Sequence, residues 1–225
     1  MKHVLDNSIW SALNSGNKDI ALGTENVKYY PADVAPFAGL VLNTSENLNT
    51  LYEITPGEGT FAIKNIGQLH IPAPWKLIRS VPLLQMVCDD PVQRKTISDS
   101  IEELSKKHIS QMLQLTTLTN PGPFRERTID LGHYQGIFDG EQLVAMAGQR
   151  MHPLPYAEIS AVCTHPDYIG RGYGAQLILS QANRIKESGG TPYLHVAEGN
   201  DRAIKLYKSL GFVTRQQMFI YFISK

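Results

Sequence analysis

The sequence is short of several things that would commit a chain of 225 residues to a specialised class. It has only two cysteines, Cys88 and Cys163, far apart and in no C-x-x-C or Cys/His spacing. That excludes a disulfide framework or a structural zinc site and leaves two reduced, buried thiols in a cytoplasmic protein. It has no excess of one charge: 21 Lys and Arg balance 21 Asp and Glu. The usual electrostatic reason to expect nucleic acid or an anionic membrane as partner is therefore missing. No run approaches the roughly eighteen apolar residues of a membrane-spanning helix. The first residues, Met1 to Asp19, contain neither an unbroken apolar core nor a small-residue cleavage site, so they do not read as a signal peptide. There is no fixed-period repeat, no low-complexity tract and no His/Asp/Glu grouping of metal-ligand type. What remains is 42% hydrophobic and 19% charged, enough apolar material for a core without staples.

The chain changes character at Asp89-Asp90-Pro91. Residues 1–90 are expected to form a smaller N-terminal α/β domain and residues 91–225 the domain that carries the chemistry. In the first part, Val34–Leu42 and Leu48–Ile54 read as helices and Gly59–Lys64 as a strand. Trp75–Arg79 and Leu83–Val87 read as two short apolar elements, and no catalytic constellation stands out. In the second part, Ile101–Leu104 reads as a strand and Ser105 as the cap of a helix to about Thr116. Asn120-Pro121-Gly122-Pro123 forces a loop, and Asp139-Gly140 sits between two apolar runs, Tyr134–Phe138 and Gln142–Gln149, as a hairpin turn. Glu158–Thr164, Tyr193–Ala197 and Met218–Ile223 read as strands. Ala175–Ser188 and Asp201–Leu210 read as helices, each closed by glycine, with Asn200 capping the second. The alternation predicts an α/β protein with a mixed sheet.

Between the strand ending at Thr164 and the helix beginning at Ala175 lies Gly170-Arg171-Gly172-Tyr173-Gly174-Ala175. Glycines let successive N–H groups turn toward a ligand, and a helix start adds unpaired donors and the positive end of its dipole. Together these make a pyrophosphate site. A P-loop is excluded, because Ala175-Gln176 replaces the Gly-Lys-Ser/Thr ending. A dinucleotide fingerprint matches formally at Gly170, Gly172 and Ala175, with Glu198 as the later acid, but five residues separate the strand from the first glycine.

The glycine loop, the strand Tyr193–Ala197 and Asn200-Asp201-Arg202-Ala203-Ile204-Lys205-Leu206-Tyr207-Lys208-Ser209-Leu210-Gly211-Phe212 together resemble the GNAT superfamily of acyl-CoA N-acyltransferases, within it the FR47-like group. The resemblance covers roughly Ile101 to Lys225. It departs from the superfamily at Ile169, where Gln or Arg is usual. It implies a GNAT fold: a mixed, mostly antiparallel sheet flanked by helices, with the smaller N-terminal α/β domain either a degenerate GNAT-like domain or an appended dimerisation or acceptor-recognition module. It further implies acetyl-CoA as acyl donor and direct transfer to an amine acceptor, a small molecule or a protein amine. Neither nucleic acid nor membrane is an expected partner, and a homodimer is allowed.

By the same resemblance, Val162, Cys163 and Thr164 end a splayed strand whose backbone holds pantetheine. Gly170, Arg171, Gly172, Tyr173, Gly174 and Ala175 cradle the pyrophosphate, and Asn200 and Ala203 lie toward CoA. Tyr207 protonates the departing thiolate, and Glu158 serves as general base. Each has an ordinary structural counterpart: Asn200 as helix cap, Tyr207 as a core aromatic, Glu158 as a solvated strand-end charge. His195 reads as a core residue that could alternatively carry the proton. Two other classes stay open, a non-catalytic acyl-CoA-binding regulatory module and a dinucleotide-binding oxidoreductase.

Overall fold

The computed structural model describes residues 3–92 and 101–225. Five helices occur in it: α1 (Ser8–Leu13), α2 (Ser45–Ile54), α3 (Ile109–Thr119), α4 (Tyr173–Glu187) and α5 (Asp201–Ser209). The first strands are β1 (Leu22–Gly23), β2 (Val27–Tyr29), β3 (Ala38–Leu40), β4 (Thr60–Asn65), β5 (Lys76–Val87) and β6 (Ile101–Glu103). They are followed by β7 (Gln135–Asp139), β8 (Gln142–Gln149), β9 (Tyr156–Thr164), β10 (Thr191–Ala197) and β11 (Val213–Ser224).

Eight strands form one sheet in the order β4-β11-β5-β10-β9-β8-β7-β6, and β1-β2-β3 form a small separate one. Every neighbour pair in the large sheet is antiparallel except β9–β10. This is the mixed, mostly antiparallel sheet expected. The boundary expected at residue 90 does not coincide with any break in it. β5, from before that point, is inserted between β10 and β11, from after it, and β4 pairs beyond β11. Composition and turn signals report local character, whereas strand neighbours are chosen across the whole chain.

Two local expectations are corrected. Val34–Leu42 is not a helix: Pro36 interrupts it, and only Ala38–Leu40 is regular, as the buried strand β3. A continuous apolar run cannot by itself distinguish buried strand from buried helix. The pair at Trp75–Arg79 and Leu83–Val87 is one strand, β5, passing through Pro82.

Helix α4 packs on one face of the sheet over Met86, Ala157, Ile159, Leu194 and Val196, through Ala175, Ile178, Leu179, Ala182 and Ile185. The opposite face is covered by α3 near Met146 and Cys163, and by the N-terminal segment through Ile9, Tyr30, Val34 and Phe37.

Candidate active site

The parallel pairing of β9 with β10 stops at Glu158↔Tyr193. β9 continues to Thr164 and β10 to Ala197, but from there β10 pairs only with β5. The two strands diverge, and Ser160, Val162 and Thr164 on one side and Ala197 on the other are half-exposed, while His195 shows only its backbone there. A left-handed backbone at Ala161 (φ 51°) and a register shift opposite Met146–Gly148 mark a bulge in β9 within the diverging stretch. Sequence reading missed this bulge, since alanine carries no signal for positive φ.

The glycine loop lies at the open end of this gap. Gly170 (φ 92°) and Gly172 (φ 81°) are left-handed, a conformation costly for other residues, and Gly172 is the residue before the first turn of α4. No side chain caps that helix. None of the N–H groups from Gly170 to Ala175 donates to a described acceptor; the first to do so is Gln176, to Gly172. A Cβ on Gly174 would meet only Thr164 Oγ1, at 3.7 Å. Six donors at a helix start, with open space before them, fit an anionic phosphate group. Arg171 stacks its guanidinium on Tyr168, 4.4 Å from the ring centroid. Ile169, where the superfamily pattern differs, is 47% exposed.

Helix α5 follows directly on β10. Asn200 caps it, accepting from Ala203 N at 3.1 Å. Val162, Ala203, Leu206 and Tyr207 pack together against the cluster under α4. Tyr207 leans on Phe212 at 6.1 Å, and its hydroxyl has no hydrogen-bond partner among the described residues. Burial pushes its pKa up to about 12. Burial likewise pushes the Cys163 thiol, covered by α3, up to about 12. The structure thus gathers Val162, Thr164, the glycine loop, Asn200, Ala203 and Tyr207 around one gap. The Cys163 side chain turns away, leaving only its backbone to face the gap.

Glu158 is somewhere quite different from a solvated strand end. It is fully buried and accepts from Arg150 Nε (2.9 Å) and Nη2 (3.1 Å), from Lys64 Nζ (3.2 Å) and from His195 Nδ1 (2.7 Å). Burial alone would raise its pKa, but Arg150 and Lys64 hold the carboxyl well below the usual range. Gln85 donates to Leu5 O and accepts from Arg215, so its amide N–H faces His195 Nε2 (3.1 Å). That makes Nε2 the acceptor and places the ring proton on Nδ1, directed at Glu158. Burial, with the Lys64 ammonium 2.9 Å from Nδ1, pushes His195 down to about 4. Lys64 itself is pushed down to about 8 by burial, against the pull of Glu158. Sequence reading passed over Lys64, Gln85 and Arg150; lone polar residues inside the apolar runs of β4, β5 and the end of β8 were the available signal.

This network has a pH signature. The unfolded chain protonates His195 near 6.5, the folded chain only near 4, so stability declines as pH falls through that window. The loss is expected to approach roughly 3 kcal/mol, read by urea unfolding at several pH values. His195→Gln should flatten the slope; an unchanged slope would show that another group is responsible.

The FR47-like protein family model matches residues 134–220. A solved structure from Novosphingobium aromaticivorans, assigned to the GNAT family of acetyltransferases, is 32% identical. It superimposes with a TM-score of 0.92 over 99% of this chain and 98% of its own. The N-alpha-acetyltransferase RimI of Mycobacterium tuberculosis is 37% identical over 92 residues, 39% of this chain and 56% of that protein. Mycothiol acetyltransferase of Corynebacterium glutamicum is 29% identical over 86 residues, 38% of this chain and 30% of that protein. The chain thus spans about half or less of the length of these two curated relatives. Among the described residues no helix is long and apolar enough to cross a membrane, and no metal-binding group of His, Cys, Asp and Glu occurs. With a full-length structural match, a family-model match over its C-terminal half and a splayed β9–β10 pair beside a glycine-rich helix start, the chain belongs to the GNAT family.

Proposed function

We propose that the protein is an acetyl-CoA-dependent N-acetyltransferase that passes the acetyl group directly to a primary amine. The observation that carries this is the row of unpartnered N–H groups from Gly170 to Ala175 at the start of α4, beside diverging strands with half-exposed backbone. Acetyl-CoA, when bound, supplies the acetyl group activated as a thioester. The glycine loop and the first turn of α4 hold its pyrophosphate, and the backbone of Val162, Cys163 and Thr164 its pantetheine. Asn200 and Ala203 line the α5 side. Tyr207 keeps its proton at working pH and donates a hydrogen bond to sulfur as negative charge develops there. Cys163, with its thiol near pKa 12, is no nucleophile, which supports transfer without a covalent enzyme intermediate.

In this reading Glu158 is not the base. A carboxylate with Arg150, Lys64 and His195 on it has no spare lone pair directed at an acceptor and no drive to take a proton. It ties β9 to β4, to Arg150 just after β8, and to β10 beneath the point where the gap opens. The amines of protein N-termini, as the RimI likeness suggests, and of small molecules, as the mycothiol enzyme suggests, are the acceptor classes to screen.

Acetyl-CoA at about 100 times its Kd should stabilise the protein by roughly 2.7 kcal/mol. Gly174→Glu should abolish that gain without harming the fold. Its Cβ fits, its φ is ordinary, and a carboxylate in a first helical turn is favourable in itself. Thermal unfolding with and without ligand reads both. No stabilisation of the parent protein by any acyl-CoA would sink the proposal.

A further inference from the structure

The sheet has a free edge that begins at the mouth of this gap. β10 ends at Ala197, opposite Leu83 of β5, and the chain then turns away into α5. β5, however, starts at Lys76, so its first residues have β11 on one side only. On the other side Pro82 O takes Glu198 N, and no described residue bonds to the backbone of Lys76–Val81. Ser80 lies two residues from Pro82 in an unbroken register, so its N–H and C=O point outward, in line with β10. The side chains along this edge are exposed too, with Leu77 at 51% and Ile78 at 54%. Proteins commonly blunt such edges; this one carries Lys76 and Arg79 but leaves the backbone uncovered.

We infer that this edge receives an extended peptide, whose free N-terminal amine is the acceptor, as an added strand antiparallel to β5. The inference rests on the acetyltransferase reading above and names its substrate class. Direction follows from the register. A strand occupying the line of β10 beyond Ala197, with its N-terminus at the gap, runs as β10 runs and therefore antiparallel to β5. Charge follows the same polarity. Glu198, exposed and held by Gln217 at 2.8 Å, stands at the head of the edge, where an ammonium arrives. Lys76 and Arg79 stand along its far part and favour acidic side chains some residues into the peptide. The same two cations disfavour a second copy of this edge, which would bring them against each other. Main-chain bonds give affinity without demanding one sequence, the general mode of strand addition.

The test uses eight-residue peptides with a free N-terminal alanine, carrying glutamates or lysines at the third and fifth positions, and alanine amide as a small amine. Free CoA thiol is measured for each, on the parent protein and on Ser80→Pro. The edge already accommodates Pro82, and the N–H of Ser80 has no partner to lose, so the variant should fold and keep its acetyl-CoA stabilisation. Its KM for the glutamate peptide should rise roughly tenfold, with kcat and alanine-amide turnover little changed. The lysine peptide should be the poorer substrate of the parent, and Arg79→Glu should narrow or reverse that order. An unchanged peptide KM in folded Ser80→Pro overturns the inference. So does a parent that acetylates alanine amide and no peptide, or a dimer in solution that Ser80→Pro dissolves. In each case the acetyltransferase reading stands. Failure of any acyl-CoA to bind would instead remove that reading.

Discussion

Tyr207→Phe is expected to lower kcat by about 10²-fold while leaving acetyl-CoA stabilisation and thermal midpoint almost untouched. The hydroxyl has no partner among the described residues, so its loss removes no hydrogen bond to any of them, and the ring keeps its contact with Phe212. General acids at such positions contribute about 10²–10⁴-fold. The lower end is expected because burial raises the phenol to about 12, whereas an unperturbed thiol titrates near 8.5. Full proton transfer from so weak an acid to a thiolate is uphill. Stabilisation of developing charge by a hydrogen bond is the larger part, with the proton completing its transfer later. The pH–rate profile should accordingly show no limb from Tyr207 near neutral pH. Steady-state kinetics and ligand-induced thermal shifts on the same preparation separate the outcomes. Unchanged kcat would return Tyr207 to a packing role, and lost acetyl-CoA binding with normal stability would make it a binding residue instead.

Glu158→Gln is expected to be the most destabilising single change at the site, by about 3–5 kcal/mol, because it strands buried cations. Arg150 and Lys64, both buried, lose their counter-charge, and His195 loses the acceptor for its Nδ1 proton. Lys64 can yield its proton, since burial already brings it to about 8, but Arg150 cannot. Lys64→Met added to Glu158→Gln should therefore restore part of the loss, an energetic coupling that urea unfolding of the four proteins measures. The carboxyl is held well below its usual range, so its favourable contribution is present above about pH 4.3 and fades only as pH falls through the lowered value. It should contribute no limb to activity near neutral pH. A Glu158→Gln protein as stable as its parent, with a displaced acid limb in its pH–rate profile, would reinstate the carboxylate as the base.

Much of the site is legible in the sequence because its residues lie close together there. The glycine loop and the helix it opens are contiguous, and so is the span from Asn200 to Phe212; positive φ and helix capping are local demands with local signatures. The hairpin at Asp139-Gly140 is equally local. Glu158 is visible in the sequence as a residue but not as a role. Its partners come from β4, from the residue after β8 and from β10, as many as 94 positions away, and only their convergence turns a strand-end glutamate into a buried counter-ion.

The gap itself belongs to neither category wholly. Strands β9 and β10 are each evident from their apolar pattern, but where their pairing stops is not. Beyond Glu158, β9 bulges at Ala161 and stays with β8, while β10 stays with β5 through Leu83–Val87 on its other edge. That same insertion of β5, drawn from the part of the chain expected to stand apart, also sets the length of the free edge beyond Ala197. Local sequence determined which segments turn, cap and leave a row of N–H groups at a helix start, because those depend on backbone conformation within a few residues. Tertiary structure alone decided which strands become neighbours, and so where backbone donors and acceptors are left without a partner strand.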